Sequence, residues 1–437
     1  MQFGIFDQND RGLSSLGEQY ENRLQLIEFY ERAGFRSYHM SEHHATPLNV
    51  APSPSVFLAA IAQRTKRIRF GALVYVLPAH HPLRLAEEIC MLDHLSGGRL
   101  EVGIGRGASP HELHYFGVDP EQAPAMYVEA YQVIMQALTQ DHVDFSGRHY
   151  RFDNVPIDLK PAQLPHPPLW YAVPVPDGAA WPAQNAINIV CGGPVARVRE
   201  ITDRYRAEWA AAGNAPEAIP LIGLNRFVVV ADTDREAMDL GRRAWPSFLA
   251  RFMKLWKLHG TQPRFARMPE DFETLVAHGI AVAGSPGSVS DQVRGMMDEA
   301  GTTYFISQFS FGDLSHQEVL HSAGLFAREM LAPVREQAAH TPIHPGEHLA
   351  EELKELGISA AELSRQIDVP VNRITAIING QRGVTADTAL RLGHWFGTSA
   401  EFWLNLQKLY ELRLARDEVG DRVAKLPTLT DRRMPSP

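Results

Sequence analysis

The residues best suited to acid–base chemistry are the consecutive Glu42, His43 and His44, which follow a short apolar strand predicted at 35–40. An imidazole titrates near neutral pH, so it can give or take a proton at a reacting oxygen. A histidine after a strand can also pack beneath a loop without taking part in a reaction. The order of a strand, a carboxylate and two histidines favours catalysis, with His44 as the candidate and its two neighbours in support.

A second candidate site is the stretch at 103–108, whose sequence is GIGRGA. Gly103, Gly105 and Gly107 have no side chains, so a flat or phosphorylated ligand can approach the backbone closely. Arg106 adds a fixed positive charge to this turn. Three interpretations are open: a dinucleotide-binding fingerprint, which the stretch matches formally, a purely structural turn, and a site for another phosphorylated cofactor.

The elements around these residues indicate a parallel sheet. Between 69 and 107 the sequence changes from a β-branched strand to a helix opened by Pro82 and back to an alternating strand. Strands and helices alternate in this way from residue 1 to about 335, and about eight strands are predicted, which is the arithmetic of a TIM barrel. The carboxyl ends of the strands form the catalytic face of such a barrel, and 42–44 follow one of these ends.

Local signals predict three further segments of the barrel. Residues 145–159 have the pattern of a hairpin, with one of its turns at Asp153-Asn154, and 233–259 is expected to form one long helix. The stretch 260–278 has no clear period and contains two prolines, so we expect either a lid or a surface loop there.

The composition is that of an ordinary globular protein, with 45% hydrophobic and 21% charged residues among 437. This length predicts about two or three domains. The formal net charge of −9 argues against binding nucleic acid or anionic membranes over the whole surface, but it allows a local basic face. From the two cysteines, the lack of a long apolar run and the start of the chain, we expect a cytoplasmic protein that binds no membrane and has no disulfide framework and no metal site.

The sequence changes character at 336–345, EQAAHTPIHP, a polar stretch with two prolines that we interpret as a linker. A small all-α domain is predicted at 346–420, and the polar tail at 421–437 is expected to be disordered. Two of its helices, at 359–367 and 370–378, are separated by a very short turn, which is the spacing of a helix-turn-helix.

The first segment, 1–335, resembles the bacterial luciferase-like flavin monooxygenases. The resemblance rests on the ordered string from 69 to 117, in particular VLP-x-x-HP-x-R-x-AE and GR-[LF]-x-x-GI-x-RG, together with 42–44. It implies an α/β TIM barrel that uses reduced FMN and O2 to oxygenate a small organic substrate. A flavin reductase would supply the reduced FMN, and the chain is expected to form a homodimer. A deazaflavin-dependent dehydrogenase on the same barrel is the alternative.

The resemblance also implies which residues form the site. His44 matches the family's catalytic histidine, and Ala72-Leu73 matches a strand bulge beneath the flavin ring that often contains a non-prolyl cis peptide. The other implied cofactor-binding positions are an arginine, glycines and a turn near the FMN phosphate: Gly105, Arg106, Gly107, Asp177, Gly178 and Ala179.

The sequence departs from the family around the phosphate. The serine or threonine expected after the turn at 174–179 is absent, Asp177 is acidic, and Pro124 replaces a second basic residue of luciferase. Gly105 stands where luciferase has a cysteine, so we do not expect light emission. The substrate stays open, because apolar pocket walls are compatible with long-chain aldehydes, alkanes, cyclic ketones or amines.

The second domain resembles the HigA-type antitoxins, a branch of the Xre-like repressors. The resemblance rests on HPGEHL, then SAAELSRQIDVPVNRITAIINGQRGVTADTALRL, then GTSAEFWLNLQ. It implies operator DNA and a HigB-type toxin as partners. The implied DNA contacts are base-edge candidates on the helix from 370 and phosphate candidates beside it: Asn372, Arg373 and Thr375, then Arg365 and Arg382. Alternatively, the arginines form only a solvated face, since 344–437 has 12 Lys and Arg against 13 Asp and Glu, a net charge of −1.

Two arrangements of the whole chain follow from these resemblances. In one, the barrel senses the state of its flavin and the helix-turn-helix domain is the output, so the chain acts as a regulator. In the other, two neighbouring genes have fused without functional coupling.

Overall fold

The chain is described here by a computed structural model, which covers residues 1–263, 268–332 and 344–423. It forms two compact units, Met1–Ala332 and Pro333–Pro437.

Within its described residues the first unit contains eleven strands. They are β1 (Gln2–Asp7), β2 (Ser37–Met40), β3 (Arg69–Val76), β4 (Leu100–Gly105), β5 (His142–Ser146), β6 (Arg151–Pro156), β7 (Leu169–Ala172), β8 (Asn188–Cys191), β9 (Ile222–Val230), β10 (Ala281–Gly284) and β11 (Tyr304–Gln308). Eight of these strands close a parallel barrel in the order β1, β2, β3, β4, β7, β8, β9, β11. Gln2 lies opposite Tyr304 and Ile189 opposite Ile222 where the ring closes. The predicted TIM barrel is confirmed.

The other three strands lie outside the ring. β10 pairs in parallel with the carboxyl half of β9, where Ala281 lies opposite Phe227. β5 and β6 form the predicted antiparallel hairpin. Asp153 and Asn154, predicted as a turn, lie inside β6, where Asn154 has a φ of 49°. Asparagine tolerates this left-handed conformation better than most residues, so the strand continues through it.

The described residues of the first unit also contain twelve α-helices. They are α1 (Leu16–Ala33), α2 (Pro54–Arg64), α3 (Pro82–Ser96), α4 (Pro110–Tyr115), α5 (Ala123–Thr139), α6 (Ala180–Gln184), α7 (Val195–Ala211), α8 (Asp234–Phe252), α9 (Lys254–Leu258), α10 (Phe272–Ala277), α11 (Pro286–Ala300) and α12 (His316–Phe326). Side-chain oxygens of Ser15, Ser109 and Thr233 accept backbone N–H groups at the starts of α1, α4 and α8. Such caps satisfy donors that the first turn of a helix leaves without partners.

The long helix predicted at 233–259 is interrupted. α8 ends at Phe252 and α9 begins at Lys254, with Met253 between them closing the first helix. Part of the unclear stretch 260–278 is helical, because Asp271 accepts the Thr274 amide at 2.8 Å and starts α10. A helix of six residues is too short to show a hydrophobic period in the sequence.

The amino half of the barrel interior contains a buried charge network around Glu101 on β4. The Glu101 carboxylate accepts hydrogen bonds from Arg36 Nη1 at 2.7 Å and Arg69 Nε at 2.8 Å. The indole of Trp170 donates to the same carboxylate at 2.9 Å. Burial alone would raise the pKa of Glu101, but Arg36, His39 and Arg69 together hold it below its ordinary value. The network therefore keeps a charged carboxylate inside the barrel.

Cys90 and Cys191 are both buried, and each is a free thiol. Among the helices that the structure describes, none combines the length and apolar character needed to cross a bilayer.

The second unit contains five described helices around a small apolar core. They are α13 (Pro345–Glu355), α14 (Ala360–Gln366), α15 (Val371–Ile378), α16 (Ala386–Phe396) and α17 (Ala400–Val423). The fully buried members of the core come from all five helices and include Leu349, Leu363, Ile374, Ile377, Leu392 and Trp403. The helices thus share one core.

The turn between α14 and α15 spans 367–370, four residues where the sequence predicts two. Asp368 adopts a φ of 55° in this turn, a conformation that aspartate tolerates. The helix α13 begins at Pro345, inside the predicted linker, and α17 continues to Val423, three residues into the predicted tail. The rest of the linker, 336–343, and of the tail, 424–437, lies outside the described residues.

Candidate functional site

Glu42 is the centre of a hydrogen-bonded cluster at the carboxyl end of β2. Its carboxylate is 3% exposed and accepts hydrogen bonds from His44 Nε2 at 2.8 Å and His80 Nε2 at 2.9 Å. The backbone amide of Val76, at the end of β3, donates to it at 2.9 Å. Because an ionised carboxylate can only accept, Nε2 of each histidine carries a proton. The cluster joins the ends of two neighbouring strands.

The charges in this cluster stabilise one another. Burial alone would raise the pKa of Glu42, but the hydrogen bonds from His44 and His80 outweigh burial and lower it to about 2. Burial alone would lower the pKa of His80, but the hydrogen bond and charge of Glu42 raise it. At neutral pH the centre therefore holds a fixed negative charge beside a histidine that is protonated more readily than usual.

We expect this pairing to make stability depend on pH. The raised pKa of His80 contributes stability that is complete below its ordinary value of 6.5 and is lost as pH rises through the raised value. The lowered pKa of Glu42 contributes stability that is lost as pH falls from 4.5 toward 2. Urea denaturation of the wild type and of His80→Gln, each from pH 6 to about 9, tests the first statement. The wild type should lose stability with rising pH and the variant less; equal slopes would contradict it.

His44 lies between Glu42 and the start of α4. Its backbone amide donates to Glu112 Oε2 at 2.8 Å, and His43 Nδ1 lies 3.1 Å from Glu112 Oε1. The ring of Phe116 packs edge-on against the His44 imidazole, with ring centroids 4.5 Å apart. Within the described part of the chain, the Nδ1 atom of His44 makes no hydrogen bond, so it is the ring nitrogen left for a ligand. Glu112 thus fixes the backbone of His44, and Glu42 fixes its ring.

The bulge predicted at Ala72 and Leu73 is present in β3. The pairing of β3 with β4 shifts register between Ala72 and Tyr75, and the peptide bond between Leu73 and Val74 is cis. The same strand donates the Val76 amide to Glu42. The bulge and the histidine cluster are therefore neighbours at the mouth of the barrel.

The glycines of β4 serve the packing of β3. A Cβ on Gly103 would overlap the carbonyl oxygen of Ala72, and a Cβ on Gly105 would overlap the side chain of Val74. At these two glycines it is therefore the bulge of β3 that approaches the backbone of β4 closely. The dinucleotide interpretation is wrong, because β4 belongs to a closed barrel. Gly107 has a φ of 88° and is required by the turn after β4.

Arg106 is exposed in this turn, and its charge acts on Tyr127, a residue of α5. Tyr127 on α5 is buried, and its hydroxyl has no hydrogen-bond partner among the described residues. Burial raises the pKa of Tyr127, with Tyr171 and Tyr131 adding to the shift, whereas the charge of Arg106 lowers it. A buried hydroxyl without a partner among the described residues, on which the charge of an exposed guanidinium acts, suits an anionic group such as a phosphate.

The second predicted phosphate turn follows β7. Asp177 and Gly178 lie in a short 3₁₀ turn, Pro176–Ala179, that leads directly into α6. The Gly178 amide already donates to the carbonyl of Val175 at 3.0 Å. Asp177 is exposed and Ala179 is buried. No contact among the described residues joins this turn to the histidine cluster, so the turn stays a separate candidate.

Three residues of the site were missed in the sequence. They are His80, Glu112 and Tyr127, which lie after β3, on α4 and on α5. His80 belongs to the string that carries the resemblance, so its position in that string was a usable signal. Glu112 and Tyr127 reach the site only through the packing of their helices, which no local pattern reveals.

A cavity of about 1170 Å³ opens beside the carboxyl ends of β1, β8, β9 and β11. Its wall includes Gln8, Asn225, Arg226 and Gln308 from the barrel strands and the segments after them, and α8 closes another side. The described residues of the stretch predicted as a lid or loop, including Gln262 and Met268, also line it. The volume is sufficient for a drug-sized ligand or larger.

The DNA candidates lie on α14, α15 and the loop after α15. Arg365, Asn372 and Arg382 are exposed, and Arg373 and Thr375 are half-buried. Arg373 Nη1 forms an ion pair with Asp387 Oδ2 at 2.6 Å, and the Thr375 hydroxyl donates to the carbonyl of Val371.

Fold and site together define an enzyme class, TIM barrels with acid–base residues and a large cavity at the carboxyl ends of the strands. The chain belongs to the luciferase-like monooxygenase family, whose model matches residues 1–304. Residues 349–403 match a helix-turn-helix family.

Relatives and solved structures agree with this assignment. An uncharacterized protein of Sinorhizobium fredii is 40% identical over 329 residues, which cover 75% of this chain and 96% of that protein. The 4-hydroxyprotoasukamycin monooxygenase of Streptomyces nodosus is 29% identical over 64% of this chain and 77% of its own. The crystal structure of a monooxygenase from Streptomyces bottropensis superposes with a TM-score of 0.69 at 26% identity, covering 76% of this chain and all of the other.

Proposed function

We propose that this protein is a monooxygenase that uses reduced FMN and O2 to oxygenate a small organic substrate. The observation that carries the proposal is the cluster of Glu42, His44 and His80 beside the bulge in β3, at the mouth of a barrel of this family. A related flavin-dependent trigonelline monooxygenase of Acinetobacter baylyi, named as an oxygenase component, is 29% identical over 54% of this chain and 67% of its own. This relationship supports a separate flavin reductase as the source of the reduced FMN.

The residues of the cluster have distinct roles in this proposal. Reduced flavin, when bound, supplies the electrons for the activation of O2. Nδ1 of His44 accepts and returns a proton at the reacting oxygen, while Glu42 keeps the other ring nitrogen protonated and the ring in place. Phe116 packs against the imidazole and limits the access of water to it.

Arg106 and Tyr127 are our candidates for holding the FMN phosphate. The Tyr127 hydroxyl is buried and has no partner within the part of the chain that the structure describes, and a phosphate oxygen would satisfy it. Arg106 supplies the positive charge that Pro124 does not. Gly105, Gly107 and the turn of Asp177, Gly178 and Ala179 stay as proposed neighbours of the cofactor, with Ala72 and Leu73 beneath its ring.

We expect Arg106→Gln and Tyr127→Phe to weaken the binding of reduced FMN. The binding of reduced riboflavin, which lacks the phosphate, should not change. A lost charge-assisted contact at a buried phosphate corresponds to about tenfold or more in affinity. Anaerobic fluorescence titration with both flavins measures the ratio. Arg148→Gln, an exposed arginine on the hairpin, is the control. Equal losses for both flavins would place the phosphate elsewhere.

The experiment that tests the proposed cofactor is a comparison of three ligands by anaerobic equilibrium dialysis. Reduced FMN should bind more tightly than oxidised FMN, and a reduced deazaflavin should bind weakly. Tighter binding of the reduced deazaflavin would contradict the assignment as a monooxygenase and support a deazaflavin-dependent dehydrogenase. One solved structure that shares the fold is a coenzyme F420 dependent reductase of Methanopyrus kandleri, at 18% identity and a TM-score of 0.57.

For the second unit we propose a HigA-type DNA-binding module that recognises operator DNA and is able to bind a HigB-type toxin. The match to a helix-turn-helix family and the exposed Asn372, Arg365 and Arg382 support DNA binding. A homodimer would present two such modules to two half-sites of the operator, so that both contribute to binding. Whether flavin state alters DNA affinity distinguishes a regulator from a passive fusion.

We expect two different effects from substitutions on this surface. Asn372→Ala should cost about 1–3 kcal/mol on the preferred sequence and relax the preference, because a base contact is lost. Arg382→Ala should weaken binding to all DNA sequences equally. It should also reduce the magnitude of the slope of the log binding constant against log salt concentration by about 1. Fluorescence anisotropy with a duplex selected from a random library measures both. Effects of the same kind from both variants would contradict the assignment.

A further inference from the structure

We propose that the large cavity recognises a substrate that carries a carboxylate, and that Arg226 is the residue that binds it. This inference rests on the proposed function and adds the chemical class of the substrate. Long-chain alkanes and simple aldehydes, which apolar walls would favour, are then poor candidates.

Arg226 is a buried cation with no counter-ion among the described residues. It lies on β9, is 1% exposed and lines the cavity. Nη1 donates to the carbonyl of Asn225 at 2.8 Å, whereas Nε and Nη2 have no partner among the described residues. Burial lowers the pKa of Arg226 to about 10, so the guanidinium is still charged at neutral pH.

Two other arginines of the first unit, Arg99, which is buried, and Arg251, which is half-buried, show how unusual this is. Arg99 donates to five oxygens, among them the hydroxyl of Thr65 at 2.8 Å and the carbonyl of Ile68 at 2.9 Å. Arg251 pairs with the Asp10 carboxylate at 2.6 Å. A buried charge without compensation is costly, so its retention beside a cavity points to a ligand that completes it.

The rest of the cavity wall that the barrel strands form also contains buried polar atoms without hydrogen-bond partners among the described residues. Gln8 Oε1, Asn225 Oδ1 and Gln308 Nε2 are buried atoms without partners among the described residues, and all three residues line the cavity with Arg226. A hydrocarbon would leave every one of these groups unsatisfied. A carboxylate can accept two hydrogen bonds from the guanidinium, and the amides can serve the polar atoms next to it.

The position favours the substrate over the flavin as the source of this carboxylate or other anionic oxygen. The residues proposed for the flavin lie on β3 and β4, on α5 and in the turns after β4 and β7, and none of them is among the described residues that line the large cavity. The cavity wall comes from β1, β8, β9 and β11. The two groups of residues occupy different arcs of the barrel mouth.

Matched acids and amides test the proposal directly. Isothermal titration calorimetry at pH 7.5 would compare benzoate, nicotinate and hexanoate with benzamide, nicotinamide and hexanamide, using the full chain. At least one acid should bind about tenfold more tightly than its amide, and Arg226→Gln should abolish this preference. Lys257→Gln, which removes an exposed charge from the same cavity, is the control and should keep it. No binding by any acid, equal binding of acid and amide, or an unchanged preference in Arg226→Gln would overturn the proposal.

Titration of the same variants with reduced FMN separates this inference from the proposed function. Arg226→Gln should bind reduced FMN as the wild type does. If it loses the flavin instead, Arg226 serves the cofactor and the inference fails. If the wild type binds the acids selectively but does not bind reduced FMN, the proposed cofactor fails and the carboxylate site stands.

Discussion

We expect His44→Ala to lower turnover by about 10²- to 10⁴-fold while leaving the affinity for reduced FMN within about twofold of the wild type. The reason is that His44 is held at two points. Its ring Nε2 donates to Glu42, and its backbone amide donates to Glu112. The atom left free, Nδ1, is where a proton can be exchanged. Product formation at saturating reduced FMN, with any substrate that the wild type oxygenates, measures the loss.

His43→Ala is the matched control, because it removes the same ring from the next residue. The His43 ring contacts Glu112, and among the described residues it makes no hydrogen bond to the Glu42 carboxylate, so we expect a much smaller loss. Added imidazole should restore part of the activity of His44→Ala and none of the activity of His43→Ala. If both variants lose activity equally and neither responds to imidazole, the histidines only hold the loop in place.

The largest effect on stability is expected from Glu101→Gln, which should cost about 3–5 kcal/mol. Glutamine cannot neutralise Arg36 and Arg69, which then remain partly buried without a counter-ion. The amide also loses the strength of the hydrogen bond from Trp170. The three contacts come from three other strands or loops, so the loss is felt across the barrel.

Urea denaturation followed by tryptophan fluorescence gives the shift in midpoint. The control is Glu21→Gln, which removes an exposed partner of Arg64 on the barrel surface and should change the midpoint little. Similar midpoints for the two variants would show that the Glu101 network contributes no more than a surface ion pair.

The sequence was sufficient for the barrel and for the position of His44. Strands and helices alternate along 1–335, and a parallel barrel is the arrangement that buries such strands on both faces. A residue that follows β2 must then lie at the mouth, as His44 does. The central role of Glu42 could not be predicted, because its partners His80 and Val76 lie 38 and 34 residues further along the chain.

The glycines of β4 show a different limit. The spacing of the glycines correctly indicated that another group approaches the backbone of β4 closely. The sequence does not identify that group. In the structure Gly103 and Gly105 accommodate the bulge of the neighbouring strand. Packing between neighbouring strands determines which group lies against these glycines, and a local sequence pattern does not predict that packing.

The ends of elements in the second unit were also uncertain for a physical reason. The helix α17 continues to Val423, three residues past the predicted end of the domain at 420, although Gly420 has the form of a stop signal. Fraying and packing set the last turns of a helix, and the sequence displays neither.

The most direct test of the central claim is an anaerobic titration of the full chain with reduced FMN, followed by admission of air while the flavin spectrum is recorded. We predict saturable binding and a return of the oxidised-flavin absorbance that is clearly slower than for free reduced FMN. Absence of binding, or reoxidation at the rate of free flavin, would contradict the assignment of this barrel as an FMN-dependent monooxygenase.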